Sequence, residues 1–215
     1  MNVPETYASV NEAAGYAYVN IAKAGCTAVK TAIAEQAGVP FEVVQWEKPW
    51  KVPVSQIPAG LFVFTVVRHP MARLVSCWAD YVQNPRVAEV RHNPEFRPLE
   101  DMPFPEFTQY VRTAREPNLH YAPQWPQLHV DGKLIVDRII KLEEIEQRWP
   151  ELQQEFGLPD LPTDEDGRRP SKHEPWPTYY TDGLRRRAVR YYRSDFRHLG
   201  YSSRETIRAT REAVS

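Results

Sequence analysis

Short apolar runs alternate with stretches of helical spacing along this chain. The runs at 16–21, 41–46, 61–67 and 138–142 are rich in β-branched and aromatic residues, as strands buried on both faces are. Apolar residues at helical spacing follow the first and third runs. The pattern predicts an α/β fold, with a central parallel sheet flanked by helices.

The length of the chain fits one well-filled domain. It has 215 residues, of which 42% are hydrophobic. We therefore predict a single domain over 1–215, with a core at about 16–201 and a helical or disordered tail at 202–215. Twenty prolines against nine glycines indicate stiff, irregular connections, and proline-rich loops are expected at 85–105, 115–126 and 158–177.

Composition argues against several classes of protein. The sequence has no apolar run long enough to cross a membrane and no signal-peptide pattern at its start, so we expect a cytoplasmic protein without membrane insertion. Two cysteines and scattered histidines predict neither a disulfide framework nor a metal site. A net charge of −1 and the lack of a recognised module argue against nucleic acid as a partner.

The turn after the first apolar run has the residues of an anion site. The segment I-A-K-A-G-C-T, at 21–27, places a lysine and a glycine before a helix that is predicted over 28–37. Free backbone N–H groups and the positive end of the helix dipole converge at such a turn. It is not a Walker loop, because Lys23 precedes Gly25 instead of following a second glycine.

A second turn of this kind follows the third apolar run. Arg68 ends that run, and Pro70 is well placed to begin the next helix. Ser76 lies about two turns along this predicted helix. Both turns thus place polar residues at the carboxyl ends of parallel strands, where α/β proteins bind ligands.

The two turns resemble the cofactor-binding elements of sulfotransferases that use 3'-phosphoadenosine 5'-phosphosulfate (PAPS). The first is similar to the 5'-phosphosulfate loop, although Ala22 replaces the family's proline, and the second to the 3'-phosphate element V-R-[DEH]-P-x-x-R-L-x-S. The segments at 104–111, 118–124, 137–142 and 191–201 resemble further motifs of the carbohydrate-type members. The chain is identified as a soluble, bacterial-like member with the P-loop-like sulfotransferase fold.

The resemblance implies a role for each matching residue. Lys23 would be catalytic, neutralising the oxygen that leaves the sulfuryl group. The loop around it would hold the 5'-phosphosulfate through Lys23, Ala24, Gly25, Cys26, Thr27 and Ala28. Arg68 and Ser76 would grip the 3'-phosphate, and Arg169, Ser171 and Lys172 match a loop that closes over the cofactor. Two alternatives stay open: Cys26 as a nucleophile, and Arg73 as a cofactor ligand or as a partner of Asp80 or solvent.

The acceptor hydroxyl needs a general base, and its assignment is open. His120 is the first choice, and it could equally be a buried structural histidine. Glu42 and Glu47 are alternatives, since some relatives carry their base at about this distance after the lysine.

The implied function is transfer of a sulfuryl group from PAPS, without a metal, to a small-molecule or glycan acceptor. The segment 168–211 has twelve basic and four acidic residues, a balance of 12 − 4 = +8, which fits an acidic glycan or a solvated helix face. The alternatives are an ATP-using kinase-like enzyme and an inactive module that binds 3',5'-ADP. The sequence does not determine the oligomeric state.

Overall fold

The computed structural model describes residues 5–83, 101–115, 118–162, 173–204 and 206. These residues form two compact units. The first comprises 5–68 and 124–162, and the second comprises 69–83, 101–115, 118–123, 173–204 and 206. The single domain over 1–215 stays a prediction. Most of the predicted tail lies outside the described residues.

The first unit is built on a five-stranded sheet. The strands are β1 Tyr7–Asn11, β2 Tyr16–Val19, β3 Lys51–Pro53, β4 Phe62–Val67, β5 His129–Val130, β6 Lys133–Leu134 and β7 Arg138–Lys141. The sheet has the order β3-β1-β2-β4-β7, and β5 and β6 form a separate hairpin. Strands β2, β4 and β7 are parallel, whereas β1 runs antiparallel to β2 and β3. The predicted α/β fold with a central sheet is confirmed.

Three of the four predicted strands are confirmed, and the fourth is wrong. The segment 41–46 is a helix, and it begins after Pro40. Its apolar and β-branched residues resemble a strand, but only Val44 is buried. Strands β1 and β3, which lie on one side of β2 in the sheet, were not predicted from the sequence. Tertiary packing here overrides local β propensity.

The described residues form seven α-helices. They are α1 Cys26–Ala37, α2 Phe41–Trp46, α3 Pro70–Trp78, α4 Phe104–Thr113, α5 Ile145–Phe156, α6 Asp182–Tyr191 and α7 Arg193–His198. In the first unit, α1, α2 and α5 enclose a core with the central strands, and this core includes Tyr18, Ile33, Phe64 and Trp149. The predicted helices after the two turns are confirmed, and Pro70 begins α3.

The second unit contains α3, α4, α6 and α7. Two buried tyrosines connect its segments: the Tyr180 hydroxyl donates to the Met71 carbonyl at 3.1 Å, and the Tyr192 hydroxyl donates to the Tyr121 carbonyl at 2.7 Å. Burial raises the pKa of both phenols well above the ordinary range, so they remain donors. Among the residues that the structure describes, no helix has both the length and the apolar character needed to span a membrane.

Candidate active site

The turn between β2 and α1 has an unusual backbone. Lys23 has a φ of +65° and Gly25 a φ of +82°, both in the left-handed region. Such a φ costs a residue with a side chain about 1–2 kcal/mol. Strain of this kind persists only where the surrounding structure holds it, often at binding sites. The strained residue here is the lysine that the sequence selects as catalytic.

Gly25 suits its position because of its left-handed backbone, and a side chain there would also force Leu142 to move. A Cβ at this position would lie 2.9 Å from Cδ1 of Leu142, closer than side chains normally approach. Gly25 also caps α1 without a side-chain hydrogen bond, and the first turn of the helix has no acidic residue. The first N–H groups of the helix, on Cys26, Thr27 and Ala28, can therefore serve an anion.

The Cys26 side chain braces the turn. Its thiol donates to the Ile21 carbonyl at 2.7 Å and accepts from the Tyr18 hydroxyl at 3.5 Å. Burial, and then the negative charge that Cys26 can carry, raise the pKa of Tyr18 well above its ordinary range, so the phenol stays a donor. These bonds favour a structural Cys26 over the nucleophile that the sequence left open.

Arg68 follows the last residue of β4, and the structure brings its side chain to the turn. The guanidinium donates from Nη1 to the Lys23 carbonyl at 3.4 Å. The structure therefore brings the Arg68 side chain to the backbone of Lys23, although the two residues are 45 apart in the chain. An anion in this turn has a helix N-terminus, a lysine and an arginine within the same unit.

Gln124 holds the backbone of Arg68 and was not assigned a role from the sequence. Its Oε1 accepts from the Arg68 N–H at 2.9 Å, and its Nε2 donates to the Arg68 carbonyl at 2.7 Å. The Gln124 side chain is fully buried. The available signal was its position as the last residue of the motif-like segment 118–124.

The alternative bases Glu42 and Glu47 belong to the first unit. Glu42 lies in the first turn of α2, Glu47 directly follows this helix, and both are exposed. Helix α2 is tied to α1 by Lys30, whose Nζ donates to Oε1 of Gln45 at 2.7 Å. Burial lowers the pKa of Lys30.

In the second unit, Arg73 is fully buried, and its guanidinium binds backbone carbonyls of the chain itself. Its guanidinium donates to the Ala122 carbonyl at 2.8 Å and to the Leu119 carbonyl at 2.5 Å. Arg73 therefore braces the segment that carries His120. Ser76, which lies three residues after Arg73 in α3, is also buried. The predicted role of Ser76 at the 3'-phosphate stays a prediction.

His120 is held in a defined tautomer. Its backbone N–H donates to Oδ1 of Asn118 at 2.9 Å, which identifies that atom as an acceptor. The His120 Nδ1 lies 2.6 Å from the same oxygen and must therefore donate its proton to it. In the neutral ring Nε2 then carries the lone pair, as a general base requires. The ring also packs edge-on against Tyr81, with centroids 4.9 Å apart.

Arg169, Ser171 and Lys172 lie outside the described residues. Within the part of the chain that is described, the structure groups no three or more His, Cys, Asp or Glu side chains in the manner of a metal site.

Comparison with known proteins supports the interpretation of the two turns. Residues 8–202 match the model of the sulfotransferase family, which covers both turns and the segment of His120 and Gln124. No curated protein and no solved structure matches the chain.

Proposed function

The chain belongs to the sulfotransferase family, and from this premise we propose that it transfers a sulfuryl group from PAPS to a hydroxyl of a carbohydrate acceptor. The observation that carries the proposal is the pairing of the Lys23 turn with the Arg68 guanidinium. Two separate cations and an uncapped helix N-terminus fit a donor with a 5'-phosphosulfate and a second phosphate.

Sulfuryl transfer is an in-line displacement with a loose transition state, similar to phosphoryl transfer. In such a reaction the protein positions the reactants and neutralises the charge that develops on the leaving oxygen. Lys23 is the proposed source of that positive charge. The N–H groups of Cys26, Thr27 and Ala28 are the proposed ligands of the 5'-phosphate, because α1 lacks a capping side chain.

Arg68 is the proposed ligand of the 3'-phosphate, which distinguishes PAPS from ATP. A guanidinium suits this role because its planar fork binds two phosphate oxygens at once. Ser76 is proposed as a second ligand on the sequence resemblance alone. The loop residues Arg169, Ser171 and Lys172 are proposed on the same basis.

His120 is the proposed general base. Its support is the bond from Nδ1 to Asn118, which puts the lone pair of the neutral ring on Nε2, the atom that would take the proton of the acceptor hydroxyl. Glu42 and Glu47 remain alternatives, since both carboxylates are exposed.

The proposed acceptor is a glycan or another hydroxylated small molecule. The positive balance of 168–211 supports an acidic acceptor. A cytoplasmic location stays a prediction.

The test combines a binding assay with a transfer assay. Thermal-shift measurements should show stabilisation by 3',5'-ADP, about 2.7 kcal/mol at a concentration 100 times its Kd, and little by ATP with Mg²⁺. Labelled PAPS should then pass its sulfuryl group to a member of a glycan library. Stabilisation by ATP with Mg²⁺ alone would contradict the proposal. Binding of 3',5'-ADP without any transfer would favour an inactive binding module.

A further inference from the structure

We propose that Gln124 is a positioning residue, which fixes Arg68 and thereby sets the affinity of the protein for a 3'-phosphorylated nucleotide. The inference rests on the function proposed above for Arg68. Gln124 contacts the backbone of Arg68 and has no assigned contact with the cofactor.

The two bonds between Gln124 and Arg68 constrain the Arg68 backbone. One amide group of Gln124 accepts from the Arg68 N–H and donates to the Arg68 carbonyl, at 2.9 and 2.7 Å. The N–H and carbonyl of one residue point to the same side only when the backbone is extended, as in a strand. The amide therefore holds Arg68 extended, which sets the direction of its Cα–Cβ bond.

The bonds are needed because the sheet ends at this point. Strand β4 pairs with β7 as far as Val67 and Lys141, one residue before Arg68. The N–H and carbonyl of Arg68 need other partners beyond the ladder, because a buried backbone group that stays unpaired is destabilising. A glutamine supplies one donor and one acceptor on a single rigid group, so Gln124 substitutes for a neighbouring strand.

Gln124 is itself well anchored. It is fully buried, and its carbonyl accepts from the Gln127 N–H at 2.9 Å at the start of the 3₁₀ turn Trp125–Leu128. The Arg68 side chain is thus fixed at both ends. Gln124 holds its backbone, and the Lys23 carbonyl holds its guanidinium.

The main test is Gln124→Met, which keeps the length and volume of the side chain and removes both bonds. Calorimetry should show that 3',5'-ADP binds about 10- to 100-fold more weakly, the scale of residues that orient a ligand-binding group. The affinity for 5'-AMP, which lacks the 3'-phosphate, should change much less. The matched control is Gln127→Met, a second buried glutamine, and its ratio of the two affinities should stay as in the wild type.

A double-mutant cycle separates this inference from the proposed function. If Gln124 acts through Arg68, adding Gln124→Met to Arg68→Ala should not change the ratio of the two affinities further. The inference is overturned if Arg68→Ala is selective for 3',5'-ADP but Gln124→Met weakens both nucleotides equally. If Arg68→Ala itself shows no selectivity, the function proposed for Arg68 fails instead.

A second variant, Gln124→Glu, keeps the inference testable if the methionine variant does not fold. A protonated glutamate can accept from the Arg68 N–H and donate to the carbonyl, whereas its carboxylate can only accept. The selectivity of this variant for 3',5'-ADP, relative to wild type at the same pH, should recover as pH falls. A pH-independent ratio equal to that of the wild type would overturn the inference.

Discussion

Arg68 and Arg73 flank the start of α3 in the sequence, yet the structure uses the two residues in opposite ways. Arg68 is partly exposed, and its backbone is held by Gln124 while its guanidinium reaches the Lys23 carbonyl. Arg73 is fully buried, and its guanidinium donates to the Ala122 and Leu119 carbonyls. Arg68 is held through its backbone and is only partly buried, whereas the buried guanidinium of Arg73 is bonded to two backbone carbonyls.

The difference fits the proposal that Arg68 binds a ligand and that Arg73 is structural. A buried guanidinium is tolerated only when acceptors surround it, and once they do it has little capacity left for a phosphate. Both residues match the same motif, V-R-H-P-x-x-R-L-x-S, so the motif alone does not distinguish them. Variants of the two arginines test this distinction directly, and variants of His120 and Lys23 and the removal of metal test the proposed site around them.

The largest effect is expected at His120, which belongs to the segment that Arg73 braces. His120→Ala should lower turnover by about 10²–10⁴, because it removes the proposed base. The affinity for 3',5'-ADP should be unchanged. An imidazole base must be neutral, so the wild-type rate should fall as the pH drops, and this decrease should disappear in the variant. If turnover is normal but Glu42→Gln or Glu47→Gln is inactive, the base is that glutamate.

Lys23→Ala should have the next largest effect. It removes the positive charge that is proposed to act in the transition state, and such groups are worth about 3–4 kcal/mol, or 10²–10³ in rate. The Lys23 carbonyl that accepts from Arg68 is retained in this variant, so the binding of 3',5'-ADP should change little. Single-turnover kinetics with labelled PAPS measure the rate, and calorimetry measures the binding of 3',5'-ADP. Near wild-type turnover would refute a catalytic Lys23.

Arg68→Ala should affect binding and leave folding largely intact. Loss of a charge-assisted bond to the 3'-phosphate should weaken 3',5'-ADP by about 1.5–3 kcal/mol and 5'-AMP by much less. Calorimetry with the two nucleotides measures the difference. Equal losses for both nucleotides would mean that Arg68 is structural, as Arg73 is, and the contrast between the two arginines would not hold.

Arg73→Met should have the opposite profile. It leaves two carbonyls without this donor in a buried place, which should lower the free energy of unfolding by about 1–3 kcal/mol. Urea denaturation measures the loss, with Arg68→Met as the matched control, which should be nearly as stable as the wild type. A stable Arg73→Met protein that no longer binds 3',5'-ADP would make Arg73 a cofactor ligand after all.

No effect is expected from removal of divalent metal. Lys23 and the N-terminus of α1 can supply the positive charge that Mg²⁺ gives to kinases. Turnover with PAPS should therefore be equal in EDTA and in Mg²⁺. Activity that EDTA abolishes and Mg²⁺ restores would revive the kinase-like interpretation.

Local signals predicted the elements around the site well. The apolar runs at 16–21 and 61–67 become β2 and β4, and Gly25 and Pro70 stand where α1 and α3 begin. These features depend on neighbouring residues, because glycine permits a positive φ and proline suits the first position of a helix. The segment 41–46 shows the limit, since its local pattern fits a strand and its position in the fold makes it a helix.

The sequence by itself determined the α/β class and the two turns that follow apolar strands. Lys23 lies in the first of these turns, and Arg68 begins the second. Only the tertiary structure decided how the polar groups are satisfied. Gln124 and Arg68 are 56 residues apart, and Arg73 and Ala122 are 49 apart. Which buried donor bonds to which carbonyl depends on where distant segments come together, and no local sequence pattern predicts that pairing.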